Sequence, residues 1–425
     1  MQAAWIGAEE IVQLLLDHGA EINHQESYGY AALHWAVECE HMACIKTLLK
    51  NGANANLPDN NGEMVLMIAV LQGLEEMVQV LLDHGADVNY QNSFGGTALH
   101  AAASEGLENI ARKLIEYGAD TRLTMEDGKN AFLLAVAAKQ KALMKLLIVH
   151  EECQRVLDEA LLLLVFLDRN AQFSKMLIEK GANVENDRPG PSLLMYAVAV
   201  GDEDLLRVLL DHGANVNRQG ANNGGTALMC AITFASESDD ALLGSDGHMD
   251  ALTAAKILID YGADVNLESQ SGKTALTMAI SSNNVAMAQL LIDNGADCGA
   301  PVLFEAVAAG NEAIVGAMIE KGVDINDQDR NDGNTALHIA ACKGRQAIAR
   351  MLTDHGADVN IPNNDKATAL MHALTFNHEA IARDFIDKGA DVNLQDTKGR
   401  TALSHYCREI SGAMGQLLKK HGARA

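Results

Sequence analysis

Short apolar segments with the spacing of amphipathic helices follow one another along the whole chain, and polar stretches that contain glycine separate them. One complete cycle runs over Leu81–Asp120. A helix ends at Gly85, a polar tip follows, Thr97 starts a new helix, and residues 107–117 form a second helix that ends at Gly118. The two glycines are 33 residues apart, and a fixed period of this length indicates a repeat array.

A glycine followed by Ala or Val ends each cycle. These marker glycines are Gly19, Gly52, Gly85, Gly118, Gly181, Gly213, Gly262, Gly295, Gly322, Gly356, Gly389 and Gly422. Eight of the eleven gaps are 32 to 34 residues, and the gap of 63 after Gly118 is two periods. The sequence therefore predicts about 13 repeats, the first one incomplete. A glycine at this point allows the left-handed turn that ends a helix.

A second marker, Thr-Ala-Leu, precedes the first helix of many repeats. It occurs at Thr97, Thr226, Thr274, Thr335, Thr368 and Thr401. Threonine is a good N-cap, and the leucine faces the core. A histidine follows the leucine at His34, His100 and His338. We expect each ring to bond back to the turn, which is a structural role and not a catalytic one.

The GADVN sequence, a polar tip and then G-x-TALH-x-A-A together resemble the ankyrin repeat, and the resemblance covers essentially the whole chain. Alanine stands after threonine where the family usually has proline. The resemblance implies an all-α fold, an ankyrin-repeat solenoid of stacked antiparallel helix pairs with β-hairpin-like fingers. Residues 1–425 would then form a single array.

Three departures from the period predict local changes. Two repeats lack the finger motif, near residues 155–185 and 299–326, so we expect altered curvature and three stretches, 1–154, 155–298 and 299–425. An acidic insert between two helices spans residues 235–249, which we interpret as loop growth; phosphorylation at Ser236 or Ser238 is the alternative.

The chain starts inside a repeat, since residues 3–7 read as the end of a first helix. Trp5, Ile6, Ile11 and Leu14 then have no preceding layer to cover them. Either further repeats lie upstream or another surface covers this end. Because arrays need caps, we expect the chain to be a fragment.

A formal net charge of −25 disfavours nucleic acid and anionic membranes as partners and favours a basic protein segment. Acidity that merely keeps a long array soluble is an equally good explanation. The longest apolar run, residues 160–167, is too short to cross a bilayer. Seven scattered cysteines without a Cys-x-x-Cys motif favour a reducing, cytoplasmic location, with the nucleus as an alternative.

No catalytic or metal motif is complete. Gly272-Lys273-Thr274 lacks the upstream glycine of a phosphate loop, since Leu267 occupies that position. Asp327–Gly333 is rich in Asp and Asn but lacks calcium-loop spacing. With no nucleophile–base pair or metal cluster evident, we predict that the chain is not an enzyme and needs no cofactor.

The resemblance implies that partners bind the finger tips and the inner helices. The corresponding residues are Tyr28, Tyr30, Glu63, Tyr90, Phe94, Asp127, Lys129, Arg188, Lys273, Asp332, Asn334 and Arg400. The four aromatic residues are unusual in a chain with 4% aromatic content, and exposed aromatic residues are preferred binding anchors. Packing between adjacent fingers is the alternative for them. Trp35 is assigned to the core.

These observations favour a monomeric scaffold that binds other proteins on its concave finger and inner-helix face. The first alternative is a recognition arm of a larger protein, such as a ubiquitin-ligase adaptor or an enzyme. The second is a modification substrate, because Leu81–Asn89 resembles ankyrin asparagines that an iron-dependent asparagine hydroxylase targets. Asn89, Asn360 and Asn393 would then be the modified residues.

Overall fold

The computed structural model describes residues 1–167, 171–185, 190–221, 223–237, 249–406 and 412–423. Within these ranges the regular structure is helical, apart from one isolated antiparallel bridge between Thr124 and Asn130. The predicted all-α class is therefore confirmed. The chain divides into two compact units, Met1–Asn186 (unit 1) and Asp187–Ala425 (unit 2).

Unit 1 consists of helix pairs, each made of a first and a second helix. The pairs are α1 (Gln2–Trp5) and α2 (Glu9–Asp17), α3 (Ala32–Glu38) and α4 (Met42–Lys50), α5 (Val65–Leu71) and α6 (Glu75–Asp83), α7 (Ala98–Glu105) and α8 (Glu108–Glu116), α9 (Ala131–Ala137) and α10 (Lys141–Ile148), and α11 (Gln154–Leu167) and α12 (Ala171–Glu179). The first helices pack in one row, from α1 through α11.

Unit 2 repeats the arrangement. Its pairs are α13 (Leu193–Val200) and α14 (Glu203–Asp211), α15 (Ala227–Glu237) and α16 (Ala251–Asp260), α17 (Ala275–Ser281) and α18 (Val285–Asp293), α19 (Ala300–Ala309) and α20 (Glu312–Glu320), α21 (Ala336–Lys343) and α22 (Gln346–Asp354), α23 (Ala369–Thr375) and α24 (Glu379–Asp387), and α25 (Ala402–His405) and α26 (Ala413–Lys420). First helices again pack on first helices, from α13 to α25.

Both helix ends follow the predicted local chemistry. All twelve marker glycines have φ between +80° and +104°, the left-handed region. Thr97, Thr226 and Thr274 start their helices, and each hydroxyl accepts the backbone N–H three residues on, at 3.3 to 3.4 Å. The histidine before the glycine also caps its helix, since His84 Nδ1 lies 2.8 Å from the carbonyl oxygen of Val80.

Asparagines tie each repeat to the next. The side chain of Asn89 donates to the Gly118 carbonyl at 3.0 Å and accepts the Asp120 backbone N–H at 2.7 Å. In unit 2, Asn360 makes the same two bonds to the repeat that follows it, at Gly389 and Asp391. These repeated bonds satisfy backbone groups that would otherwise have no partner between repeats.

The structure describes the connections of both repeats that lack the finger motif, and only part of the acidic insert. Five residues, 149–153, connect α10 to α11, and six residues, 294–299, connect α18 to α19. The acidic insert begins within α15, but its residues 238–248 lie outside the described part of the chain. The three stretches and the effect on curvature remain predictions.

The first helix pair exposes apolar side chains, as the sequence indicates. Trp5 is 52% exposed and Ile6 is 58% exposed. Ile11 and Leu14 on α2 are 48% and 56% exposed. The residue of α6 that corresponds to Ile11 is Met77, and it is only 2% exposed, because a preceding pair covers it.

Candidate functional site

Most fingers are tight turns around a glycine with positive φ, and Lys366 takes this position in the finger of residues 363–367, with a φ of +57°. In the second finger, the backbone N–H of Asp59 donates to the Glu63 carbonyl at 2.8 Å, and Gly62 has a φ of +79°. The Asp59 side chain accepts two further backbone N–H groups, from Asn61 and Glu63. The predicted partner-binding residues mostly flank this glycine, so the turn projects them at the finger tip.

Tyr28 and Phe94 occupy the same position in two fingers, directly before Gly29 and Gly95. Their side chains are 72% and 66% exposed, respectively. The carbonyl of each accepts a backbone N–H of the next finger, Asn60 for Tyr28 at 3.2 Å and Glu126 for Phe94 at 3.0 Å. The backbone is thus fixed while both rings face solvent.

Tyr30 packs locally, which is the alternative that the sequence left open. Its ring stacks on His34, with centroids 5.2 Å apart, and meets Trp35 edge to face at 5.0 Å. Trp35 is half-buried, so its assignment to the core is wrong. The indole packs against Tyr30 near the surface instead of between the helix layers. Tyr90 is also half-buried.

Three carboxylates lie near the Tyr30 side chain. Burial raises the pKa of Glu63, and the neighbouring Asp59 and Glu38 carboxylates raise it further. The same three acids, together with burial, raise the pKa of Tyr30. Because like charges disfavour one another here, a cation from outside would relieve the repulsion. Aromatic faces and negative charge thus lie side by side around Tyr30, and this combination suits a lysine or arginine side chain.

Other predicted residues pair within their own fingers. Lys129 forms an ion pair with Asp127 at 2.8 Å. Arg400 pairs with the buried Asp396 at 2.7 Å. The Asn334 amide bonds the Asp332 carboxylate.

These groups therefore stabilise turns and are less available to a partner. Lys273 is exposed, whereas Arg188 lies outside the described residues.

The first helices carry contacts that sequence reasoning missed. Cys342 Sγ lies 2.8 Å from His372 Nδ1, and Thr375 Oγ1 lies 2.9 Å from His405 Nδ1. The expectation of no nucleophile–base pair is therefore corrected. Burial raises the pKa of the Cys342 thiol and lowers the pKa of His372, so both groups are neutral and a thiolate is disfavoured.

A register explains these contacts. The seventh residue after the N-cap of one first helix contacts the fourth residue after the N-cap of the next first helix. Ser281 of α17 contacts Glu305 of α19 in a similar way, at 2.8 Å. Leu71 stands at the same seventh position in unit 1, after the N-cap Met64, and is 51% exposed. Counting from the N-cap would have identified Leu71 as a further surface residue.

The three capping histidines bond as predicted. The Nδ1 atoms of His34, His100 and His338 accept the backbone N–H of their N-cap residues at 3.1 to 3.2 Å. His338 Nε2 also lies 3.0 Å from the Ala367 carbonyl, which assigns the proton to Nε2. Burial, aided by His372 and opposed by the Ala367 bond, lowers the pKa of His338 to about 4.

This geometry predicts acid sensitivity in unit 2. His338 has a folded pKa of about 4 and an ordinary value of 6.5, so the unfolded state binds the proton first as pH falls. Stability should drop by about 2 kcal/mol between pH 6.5 and 5, at about 1.4 kcal/mol per pH unit. Glutamine can replace both bonds without titrating, so His338→Gln should flatten the dependence.

Urea unfolding at the two pH values measures this effect. His338→Ala, which removes both bonds, should lower stability at both pH values and serves as the control for loss of the cap. Parallel pH dependences for the wild-type chain and His338→Gln would contradict the prediction.

In the part of the chain that the structure describes, no three His, Cys, Asp or Glu side chains are arranged to hold a metal ion. Within the same ranges, every helix is too short or too polar to cross a membrane.

Comparison with known proteins agrees with the repeat geometry. A family model described as ankyrin repeats (3 copies) matches residues 1–92, 85–157, 161–249, 242–302 and 303–396. The nuclear factor NF-kappa-B p105 subunit of Gallus gallus is 30% identical over 203 residues, covering 47% of this chain and 16% of that protein. An L-asparaginase of Dirofilaria immitis is 29% identical over 174 residues, covering 40% of this chain and 27% of that protein.

The E3 ubiquitin-protein ligase KEG of Arabidopsis thaliana is 24% identical over 249 residues, covering 46% of this chain and 14% of that protein. The chain thus spans only a small part of each of these relatives. Ankyrin repeats are generally non-catalytic modules that bind other proteins. Since the family model matches most of the sequence and the folded repeats agree with it, the chain belongs to the ankyrin-repeat family.

Proposed function

We propose that the chain is a scaffold that binds a partner protein through the finger tips of unit 1. The observation that carries the proposal is the pair of equivalent aromatic side chains, Tyr28 and Phe94, exposed at 72% and 66%. Large rings held on a fixed backbone lose little conformational entropy on binding and make good anchors. Leu71 on the neighbouring first helix adds exposed apolar area.

The partner presents a basic segment in this proposal. Burial and the neighbouring carboxylates of Asp59 and Glu38 raise the pKa of Glu63 beside Tyr30, and a bound cation would oppose that rise. The net charge of −25 attracts such a segment over longer distances. Aromatic anchors would then fix the position of the partner, and the carboxylates would select its charge.

The test replaces both exposed rings. A Tyr28→Ala and Phe94→Ala double variant should weaken binding of the partner about tenfold or more, since anchor residues are typically worth 1 to 2 kcal/mol or more each. Crosslinking and affinity purification from lysate identify the partner, and titration with the purified partner measures affinity.

Tyr117→Ala is the matched control, because Tyr117 is an exposed aromatic residue that directly follows the second helix α8 of the same unit. It should leave partner affinity unchanged. Equal binding by the double variant and the wild-type chain, with both folded by circular dichroism, would refute the fingertip proposal.

A recognition arm of a larger protein is the second candidate. The observation that favours it is the small share of each relative that the chain covers, between 14% and 27% in the three relatives above. The L-asparaginase and the ubiquitin ligase are enzymes by name, so an effector domain could accompany the repeats. Sequencing the full-length gene tests this candidate: further domains would support it, and their absence would exclude it.

The proposal also includes the finer expectations from the sequence. The chain acts as a monomer in the cytoplasm, without a cofactor, and its partners are proteins and not nucleic acids. Light scattering after gel filtration measures the mass in solution, and a mass of twice 45.4 kDa would overturn the monomer.

A further inference from the structure

An open crevice of about 600 Å³ lies on the second helices of unit 1, between α8 and α10. Glu108 and Arg112 of α8 line one side. Lys141, Lys145 and Leu146 of α10, with Val149 just after it, line the other. These residues lie on the second-helix row, whereas the fingers precede the first helices.

The crevice is basic in a strongly acidic chain. No Asp or Glu occurs between Asp127 and Glu151, and two of the four lysines in that interval, Lys141 and Lys145, line the crevice. Glu108 is already paired with Arg112 at 2.8 Å, so its charge is compensated. Lys180 adds a cation at the edge, where its ammonium donates to the Val149 carbonyl at 3.0 Å. The surface charge around the crevice is therefore positive.

Neighbouring crevices are closed by side-chain pairs. Lys46 of α4 pairs with Glu76 of α6 at 3.0 Å. Asn109 of α8 donates to Glu75 of α6 at 2.8 Å, and Tyr117 bonds Asp83 across the same two helices. The described side chains of α8 and α10 form no pair of this kind. Among the residues that the structure describes, no carboxylate forms an ion pair with Lys141 or Lys145.

An apolar stripe runs along the exposed side of α10. Ala142, Leu146 and Val149 are spaced i, i+4 and i+7, which is the spacing of a helix–helix seam. Val149 is 64% exposed and Ala142 is also exposed. Lys145 and His150 flank the stripe at the two positions where paired helices carry their complementary charges.

We propose that this crevice binds an acidic amphipathic helix of a partner protein. The helix packs its apolar residues on the stripe and places Asp or Glu beside Lys141 and Lys145. Charge complementarity selects this occupant, because a basic helix would meet like charges. A nucleic acid would use the lysines but would leave the apolar stripe uncovered, so the stripe favours a helix over a nucleic acid. The inference is independent of the fingertip proposal.

The probe is a labelled synthetic helix of about 15 residues, the length at which an isolated helix becomes stable, with leucines at i, i+3, i+4 and i+7 and glutamates on the flanks. Binding to the full chain is followed by fluorescence anisotropy at low salt. Lys141→Glu with Lys145→Glu should weaken binding at least about tenfold, and Val149→Asp should weaken it as well. Raising the salt concentration should also reduce affinity.

The matched control is Lys46→Glu with Lys50→Glu on α4, which makes the same charge change on a second helix of the same unit. It should leave binding unchanged, apart from the shared long-range effect of charge. Thermal unfolding of each variant establishes that it folds. A scrambled peptide of equal composition, which lacks the apolar stripe, should bind at least about tenfold more weakly.

Four outcomes would overturn the proposal. They are absence of binding to the folded wild-type chain, equal binding of the scrambled peptide, equal loss in the α4 control, and displacement of the peptide by a DNA oligonucleotide. A chain that dimerises, and becomes monomeric on Lys141→Glu with Lys145→Glu, would assign the crevice to a second copy and also refute it. None of these outcomes affects Tyr28 or Phe94.

Discussion

Replacing Gly333 with alanine should destabilise unit 2 by about 3 kcal/mol. Gly333 has a φ of +71°, and a Cβ there would lie 2.8 Å from the backbone nitrogen of Asn364 in the next finger. The left-handed conformation alone costs a non-glycine residue about 1 kcal/mol. Overpacking adds about 2 kcal/mol, since the obstacle is backbone and both fingers must shift. Urea unfolding at neutral pH measures the loss.

Gly399→Ala separates the two contributions. Gly399 precedes the last residue of its finger turn, as Gly333 does, and has a φ of +72°, but a Cβ there meets nothing within 4 Å. This variant should lose only about 1 kcal/mol, from backbone conformation. Equal losses in the two variants would show that contact between fingers contributes nothing.

Loss of the Asp396 carboxylate should be equally severe. Its Oδ1 accepts the backbone N–H groups of Lys398 and Arg400 at 2.8 and 2.9 Å. Its Oδ2 lies 2.7 Å from Arg400 and 3.1 Å from His405. The side chain is 3% exposed, so Asp396→Ala leaves buried donors without an acceptor. We expect a loss of about 3 kcal/mol, at the lower end for a broken buried pair because Arg400 reaches solvent.

Asparagine at this position should keep the turn and lose only the charge. Asn92 shows that it can, because its Oδ1 accepts the N–H groups of Phe94 and Gly96 at 3.1 and 2.9 Å in the third finger. Asp396→Asn should therefore cost less than Asp396→Ala, about 1 to 2 kcal/mol. A larger loss for asparagine than for alanine would contradict this account of the turn.

The same carboxylate makes unit 2 sensitive to acid. Burial opposes ionisation of Asp396, but the Arg400 backbone N–H and guanidinium outweigh it and hold the pKa far below its ordinary value. Because the folded pKa is depressed, this stabilisation is present above the unfolded pKa near 4 and is lost as pH falls below it. Unfolding at pH 4.5 and pH 3 should therefore show a smaller difference for Asp396→Asn than for the wild-type chain.

The sequence by itself determined the repeat and its local chemistry. Gly85 and Gly118 mark helix ends because only glycine adopts their φ of +80° and +89° without strain. Thr97 and His100 cap a helix through bonds that span three residues, so a short sequence suffices to predict them. Interactions this local are visible along the chain, and their repetition confirms them.

The surface depended on contacts between repeats that sequence spacing does not reveal. Tyr30 and Trp35 are close in sequence, yet only the structure shows their rings packed against each other at 5.0 Å while Tyr28 faces solvent. Cys342 and His372 are 30 residues apart and meet because one first helix packs on the next. The sequence does not distinguish Lys141 and Lys145 from the other lysines. Only the structure shows that no carboxylate of α8 pairs with them.

These features depend on the packing angle and register of neighbouring helices, which one repeat of sequence does not specify. The local sequence thus determined the helices and turns of this protein. Tertiary packing decided which side chains are paired within it and which remain exposed to a partner.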